Sequence, residues 1–512
     1  MKPVSRRSFL GAIGFVPAAL VAHSEGVKKS TKLVRRTTSG PILGGYALSG
    51  NSCFIATVTL QQIVASSLTS ISFSITPKSG STTTPISATY TKANLMSRGL
   101  LNSTDGTVAL PIFGLYASPT TNTNMVVITV LNGSTAVTLP LAITTNVWGD
   151  DGGLYTDPTV TTPRDNAIAL GFSYFMMKEW CLGRSPVVVD TDGEVRWYGT
   201  QSGSATMTSS FFENGFYLGL GSQLWRNELD GSTVFVRDYS GVPVNNVGVV
   251  TSIQHHNIDP GKNGLLLEVI TSEYTESTIL EVDTAGNVLE TFSLPEIIST
   301  AMLAGQDDPT AFIPGAFSGA DWFHNNAACY WPEQDVVVIS SRENFVIAID
   351  YSTKAIKWIL GDVQKHWYQF ASLRAFALTP TPGTVTPIGQ HAVSVVNNEL
   401  MLFDDGYQSL GHNPAGNTRG FSVCRKYAID PVALTASETW TFNHVPPIWS
   451  AICSSVYQVG DSYLVDYAAA GGGPIVVGLG TENQIGFEYQ FRGPFSAGWN
   501  ALPIDISNVE YS

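Results

Sequence analysis

Four short stretches of this 512-residue chain carry side chains suited to chemistry on an anion. They are the pair His255–His256 in QHHNID, His324 and Asn326 in DWFHNNAACYW, Arg342 in SSRENFVIAID, and His391 in GQHAVSV. Imidazole, with an ordinary pKa of about 6.5, can act as nucleophile, base or acid near neutrality. A guanidinium presents a planar fork of donors that matches two oxygens of a tetrahedral anion. Gathered in one cavity, these groups could grip such an anion and exchange a group covalently. Neutral imidazoles also ligate metals. Arg342 weighs toward the anion, because a fixed cation beside a metal ion is electrostatically unfavourable and beside a charged oxygen it is favourable.

The histidines share a context that says how they could meet. His255–His256, His324 and His391 each lie just before an alternating, strand-like run. From about Asn166 onward a unit repeats imperfectly: a strand, a turn, a strand, an Asp-led turn, and a strand ending in an aromatic. Copies occur at 187–198, 224–239, 279–292, 346–359, 424–442 and, more weakly, 478–491. Asp and Gly suit hairpin turns, and alternation suits half-buried sheet faces. Six such sheets arranged radially make a six-bladed β-propeller, in which equivalent positions of successive blades surround one axis. The spacing therefore predicts an all-β catalytic domain over 166–512 whose histidines converge on the channel.

The rest of the chain has simpler assignments. Segments between Pro41 and Val147, such as CFIATVTLQQI and NMVVITVL, are short, β-branched and separated by turns. They predict an N-terminal β-sandwich over 41–150, with exposed edges that would allow a homodimer. The Gly-, Asp-, Thr- and Pro-rich stretch 148–165 reads as the boundary between the two domains. Ser5-Arg6-Arg7-Ser8-Phe9-Leu10-Gly11 resembles the bacterial twin-arginine export signal, and a short apolar run follows it. Residues 1–24 are accordingly expected to be a signal peptide and 25–40 a tether. The implied partner is the twin-arginine export machinery, and the destination the periplasm or the cell exterior. Net charge is −14 with no basic patch, which argues against nucleic acid. Five cysteines without a paired spacing suggest buried free thiols rather than a disulfide framework.

HHNID, DWFHNN, SSRENFVIAID with its ending KWILGD, and GQHAVSV together resemble the bacterial arylsulfate sulfotransferases. That resemblance implies a six-bladed propeller that moves a sulfuryl group from an aryl sulfate donor to a phenolic acceptor, with no nucleotide donor and no cofactor. It implies that His391 takes the sulfuryl group covalently. It also implies that His324, Asn326 and Arg342 hold the sulfate oxygens, and that His255 or His256 exchanges a proton with the aryl oxygen. Many relatives read His-His-Asp where this chain has Asn257, a change that bears on pH dependence.

Other residues allow other readings. Trp322, Tyr330, Trp367 and Tyr368 are candidates to sandwich a phenol ring. His366, His412 and His444 lie in expected loops and read as surface or rim residues. A metal-dependent, lyase-like propeller and a non-catalytic binding propeller are the competing functional classes, since one fold hosts many functions.

Overall fold

The computed structural model describes residues 40–512 except 51, 118–122, 151–152, 179–185, 200–207, 240–252 and 493–497. The expected leader at 1–24, nearly all of the tether, and Cys181 lie outside the described residues. Thr38–Ser512 forms one compact unit. Among the described residues no helix is long and apolar enough to cross a membrane.

Six four-stranded antiparallel sheets form the blades. Blade three runs outward as Ile253–Pro260, Leu265–Ile270, Thr278–Val282 and Val288–Ser293. Blade four is Asn325–Trp331, Val336–Ser341, Val346–Asp350 and Ile356–Leu360. Blade five is His391–Val396, Glu399–Asp404, Val423–Asp430 and Thr435–Phe442, with Thr379–Pro380 added at its outer edge. The innermost strands of these three blades lie side by side.

Every sequence repeat proves to be the outer hairpin of a blade. The copy at 346–359, for instance, pairs Val346–Asp350 with Ile356–Leu360. Asp350 heads its turn by accepting from the backbone N–H of Thr353 at 2.9 Å. Uniform turn chemistry makes these hairpins the most regular part of each unit.

Chain closure was not visible in the repeats. Blade one has Tyr174–Lys178, Val187–Asp190 and Val195–Tyr198, but its innermost strand is Asn500–Ile504 from the C-terminus. Blade six has Ser455–Val459, Ser462–Tyr467, Ile475–Leu479 and Ile485–Gln490. Thr159–Thr162, from the stretch read as a boundary, adds to the edge of that blade.

The N-terminal sandwich packs Ile42–Leu48, Ile55–Gln61, Leu101–Asn102 and Thr107–Phe113 against Leu68–Ile75, Ile86–Thr91, Thr123–Asn132 and Thr135–Thr144. Alternation along Leu68–Ile75 buries Ile71, Phe73 and Ile75, as a sheet with one covered face requires. The second of these sheets also takes Val509–Tyr511, in parallel with Ile86–Thr91. The sandwich core runs on into blade one through Ile504, Ile506 and Met176, and through Phe216 into blade two, which is Ser209–Phe212, Gly215–Leu220, Gln223–Glu228 and Thr233–Asp238. Buried Arg196 of blade one donates through Nη2 to the Gly114 carbonyl at 2.7 Å and lies 3.5 Å from the centre of the Tyr116 ring.

Candidate functional site

Three neighbouring innermost strands open with the same backbone distortion. His256, His324 and Ala392 have φ of +58°, +53° and +52°. Beside them the ladders break register: between Gln254 and Ile258, between Asn325 and Ala327, and between His391 and Ser394. A bulge leaves residues unpaired and re-aims their side chains. Left-handed backbone at a non-glycine residue costs on the order of 1–3 kcal/mol and persists where the surroundings impose it. The three histidines do not share one blade position, as the repeat pattern suggested. His256 and His324 occupy the left-handed position, whereas His391 comes one residue earlier, where blade three places His255.

The side chains nevertheless meet. The His256 ring centroid lies 5.1 Å from that of His324 and 6.4 Å from that of His391. A ring nitrogen from each lies within 4.8 Å of the others. His255 sits behind His256, Nδ1 to Nδ1 at 2.5 Å, and both approach the buried carboxyl of Glu268 at 4.0 and 3.9 Å. Of the pair that the sequence left open, His256 is the one facing the other imidazoles.

Each imidazole is set differently. The Nδ1 of His391 lies 2.9 Å from Asp405 Oδ2 and 3.2 Å from the Gly389 carbonyl, so Nδ1 carries the proton. Its Nε2 accepts the backbone N–H of Cys453 at 3.3 Å. Burial, together with the charges of His324 and Arg342, holds His391 well below the usual histidine range, neutral with a lone pair on Nε2. Burial also pushes the Asp405 carboxyl well up. His256 is likewise held low by burial and then by the neighbouring imidazoles. His324 is the exception. Burial would lower it, but Glu276 Oε2 at 2.5 Å and Asp321 Oδ2 at 2.7 Å from Nδ1 raise it to about 10.

Arg342 is 1% exposed, at the turn after Val336–Ser341. Nη1 donates to Glu343 Oε1 at 2.6 Å, while buried Nε and Nη2 have no hydrogen-bond partner among the described residues. Unsatisfied buried donors on a cation are costly unless a ligand completes them. Asn326 is buried in the innermost strand of blade four. Its amide donates to the Gln390 carbonyl at 2.8 Å and so ties blade four to the residue before His391. Gly389 makes that turn at φ +72°, where a Cβ would lie 2.4 Å from the Tyr407 carbonyl oxygen.

Three close imidazoles are near enough to share a metal ion, and so are Glu276, Asp321 and His324. The two carboxylates on His324 Nδ1 favour its protonated ring, which has no lone pair to give, and this weighs for an anion.

The sequence matches the family described as Arylsulfotransferase (ASST) over residues 158–490, a span holding all these histidines and Arg342. The chain belongs to this family. It is similar to two proteins named arylsulfate sulfotransferase AssT. The one from Escherichia coli is 24% identical over 326 residues, and the one from Lelliottia amnigena 23% over 323. Each match covers 50% of this chain and 52% of the relative, so the chain spans about half the length of the curated relatives it matches. Two solved structures are also similar. BamB from Moraxella catarrhalis has 12% identity and a TM-score of 0.31, over 68% of this chain and 92% of that one. The Cps50 (Swd1) β-propeller domain from Myceliophteria thermophila has 11% identity and a TM-score of 0.33, over 66% and 100%.

The aromatic candidates fall elsewhere than expected. Trp322 and Trp367 are buried in an apolar cluster of blades three and four, and Tyr330 and Tyr368 pack against it. The rings at the site are Trp499, 4.8 Å from His256, and Tyr407, 5.3 Å from the Arg342 guanidinium. His366 and His412 stack on each other at 5.4 Å. His444, read as a rim residue, is buried between Glu488 Oε2 at 3.0 Å and the Pro446 carbonyl at 2.8 Å.

The supporting carboxylates Glu276, Asp321, Glu343 and Asp405 were missed, as was Lys178. Burial lowers the Lys178 ammonium to about 8, and it donates to Asn257 Oδ1 and to the Ser209 carbonyl at 2.9 Å. Asn257 thus accepts from a buried cation. Only the adjacency of Asp321 to His324 and of Glu343 to Arg342 offered a signal in the sequence.

Proposed function

We propose that this chain transfers a sulfuryl group from an aryl sulfate to a phenol through N-sulfo-His391, in two displacements and without a nucleotide donor. The observation that carries the reading is a neutral imidazole with Nε2 unprotonated, beside a buried guanidinium with two unpartnered donor atoms. An aryl sulfate monoanion would complete Arg342 through two of its oxygens. We assign the proton between the two Nδ1 atoms to His255, which leaves His256 its proton on Nε2 to donate to the third oxygen. Preorganised donors of this kind stabilise the charge that spreads over a planar SO3-like transition state.

In the first step the lone pair on His391 Nε2 leaves the Cys453 N–H and forms a bond to sulfur as the bond from sulfur to the aryl oxygen breaks. The ring becomes cationic, and Asp405 is close to its acidified Nδ1 proton. The leaving oxygen takes its proton from His324. This reassigns the proton from the upstream histidine pair, because His256 is held neutral. In the second step an incoming phenol returns a proton to His324 and its oxygen takes sulfur from His391, which predicts ping-pong kinetics. Asn326 acts by fixing the Gln390–His391 turn. The expected leader adds twin-arginine export to the periplasm or the exterior to this proposal.

The test is intact-mass spectrometry after brief exposure to an aryl sulfate. Wild type should gain one sulfo group, and the phenol acceptor should remove it. H391A should gain none and transfer nothing. Full transfer by H391A would overturn the proposal.

A further inference from the structure

Two carboxylates from different blades close on one nitrogen. Glu276 lies in the turn between Leu265–Ile270 and Thr278–Val282 of blade three, and Asp321 in the loop entering blade four. Both reach His324 Nδ1, at 2.5 and 2.7 Å, with side chains only 17% and 18% exposed. The Glu276 carbonyl accepts the Asn325 backbone N–H at 2.8 Å, which fastens the two blades at this point. An imidazole needs one acceptor on Nδ1 to fix its tautomer. A second one makes the cluster anionic overall and holds the ring as imidazolium. We propose that Glu276 and Asp321, through His324, match the site to weakly acidic phenols, both as leaving groups and as acceptors. The proposal rests on the sulfuryl-transfer reading above and deepens it.

The chemistry follows from the leaving group. An unsubstituted phenol ionises near ~10, the value to which the carboxylates raise His324. Proton transfer between partners of equal acidity is close to thermoneutral in both directions, as a site must be that expels one phenol and activates another. As sulfur moves from the aryl oxygen to His391 Nε2, the electron pair left on that oxygen takes the His324 Nε2 proton. The acceptor hydroxyl later restores it. A nitrophenolate leaves without a proton and needs little of this help. The other titratable groups facing His324 are His255 and His256 from blade three, Arg342 and Glu343 from blade four, and His391 and Asp405 from blade five. Among them the ionised Glu343 reinforces the shift, while burial keeps His256 and His391 neutral and the Asp405 carboxyl high. Glu276 and Asp321 are positioning residues here, since they act through His324.

The experiment follows formation of sulfo-His391 against pH in the full chain and in E276Q, D321N and the double substitution, with folding checked by thermal unfolding. Donors are phenyl sulfate and a nitrophenyl sulfate. Wild type should lose sulfurylation by phenyl sulfate only as pH rises through about 10. Each single substitution should move that limb down by more than about one unit. It should also raise the rate ratio of nitrophenyl to phenyl donor about tenfold, since one unit of acidity is a factor of ten. Folded variants that keep the wild-type limb and ratio overturn the proposal. Should the variants not fold, a wild-type limb near the ordinary histidine value of about 6.5 overturns it as well. A wild type that forms no sulfo-His391 with either donor defeats the underlying transfer reading instead.

Discussion

Glu343 Oε1 accepts a hydrogen bond from Arg342 Nη1 at 2.6 Å, one residue along the chain, and its other oxygen is held by the far side of blade five. Oε2 accepts from Ser409 Oγ and from the backbone N–H groups of Leu410 and Gly411, each at 2.6 Å. One fully buried carboxylate therefore fixes the guanidinium fork against a loop that carries no part of the chemistry. Tyr407, a few residues before that loop, covers the guanidinium face.

From this clamp follows the first prediction. E343Q keeps the shape but removes the charge that orients Arg342. A hydrogen bond between charged groups contributes about 1.5–3 kcal/mol, so donor kcat/KM should fall roughly 10- to 100-fold. R342K should not recover activity, because an ammonium cannot present the same two donors. Steady-state kinetics with an aryl sulfate donor measures both, and wild-type kcat/KM in E343Q would refute the clamp.

Asp405 supports a second prediction, about the nucleophile. D405N removes the acid–base partner 2.9 Å from His391 Nδ1. Sulfurylation should slow by about 100-fold or more, with donor binding little changed, since Asp405 does not face the anion. Single-turnover formation of the sulfo adduct separates the two effects.

Stability should fall at both ends of the pH range, for opposite reasons. Burial opposes ionisation of Glu343, but Arg342 and the Ser409–Gly411 donors hold its carboxyl down at about 2, below the ordinary 4.5. Its contribution is present above 4.5 and is lost as pH falls through about 2. His324 is raised from 6.5 to about 10, so its contribution is complete below 6.5 and is lost as pH rises through about 10. Thermal unfolding of wild type against pH should show both limbs. H324Q should flatten the alkaline one and E343Q the acid one.

His444 tests the separation of scaffold from site. His444 makes a buried hydrogen bond to a carboxylate, and losing such a bond costs about 1.5–3 kcal/mol. H444A should therefore lower Tm while leaving kcat/KM of the folded protein unchanged. A change in the pH profile of transfer would instead draw His444 into the mechanism.

Removing residues 499–512 should abolish cooperative unfolding. It deletes the innermost strand of blade one, the sandwich strand Val509–Tyr511 and the Trp499 ring beside His256. Loss of near-ultraviolet circular dichroism would report it.

How much of this was legible in the residues alone depends on range. The outer hairpins were, because Asp-led turns and alternating strands are local and alike in every blade. The convergence of imidazoles from successive blades was, because each sits just before a strand of the repeating unit. Closure of blade one by Asn500–Ile504 was not, since its partner strand lies more than three hundred residues away and no local pattern encodes that pairing. The choice of His256 over His255 was likewise hidden. It hangs on a left-handed residue inside a bulge, and a bulge is imposed by the neighbouring strand rather than by its own sequence. The protonation of each imidazole was hidden for the same reason. Composition supplied seven chemically identical histidines after the leader, and only packing decided which meets two carboxylates and stays charged, and which is buried beside cations and keeps its lone pair.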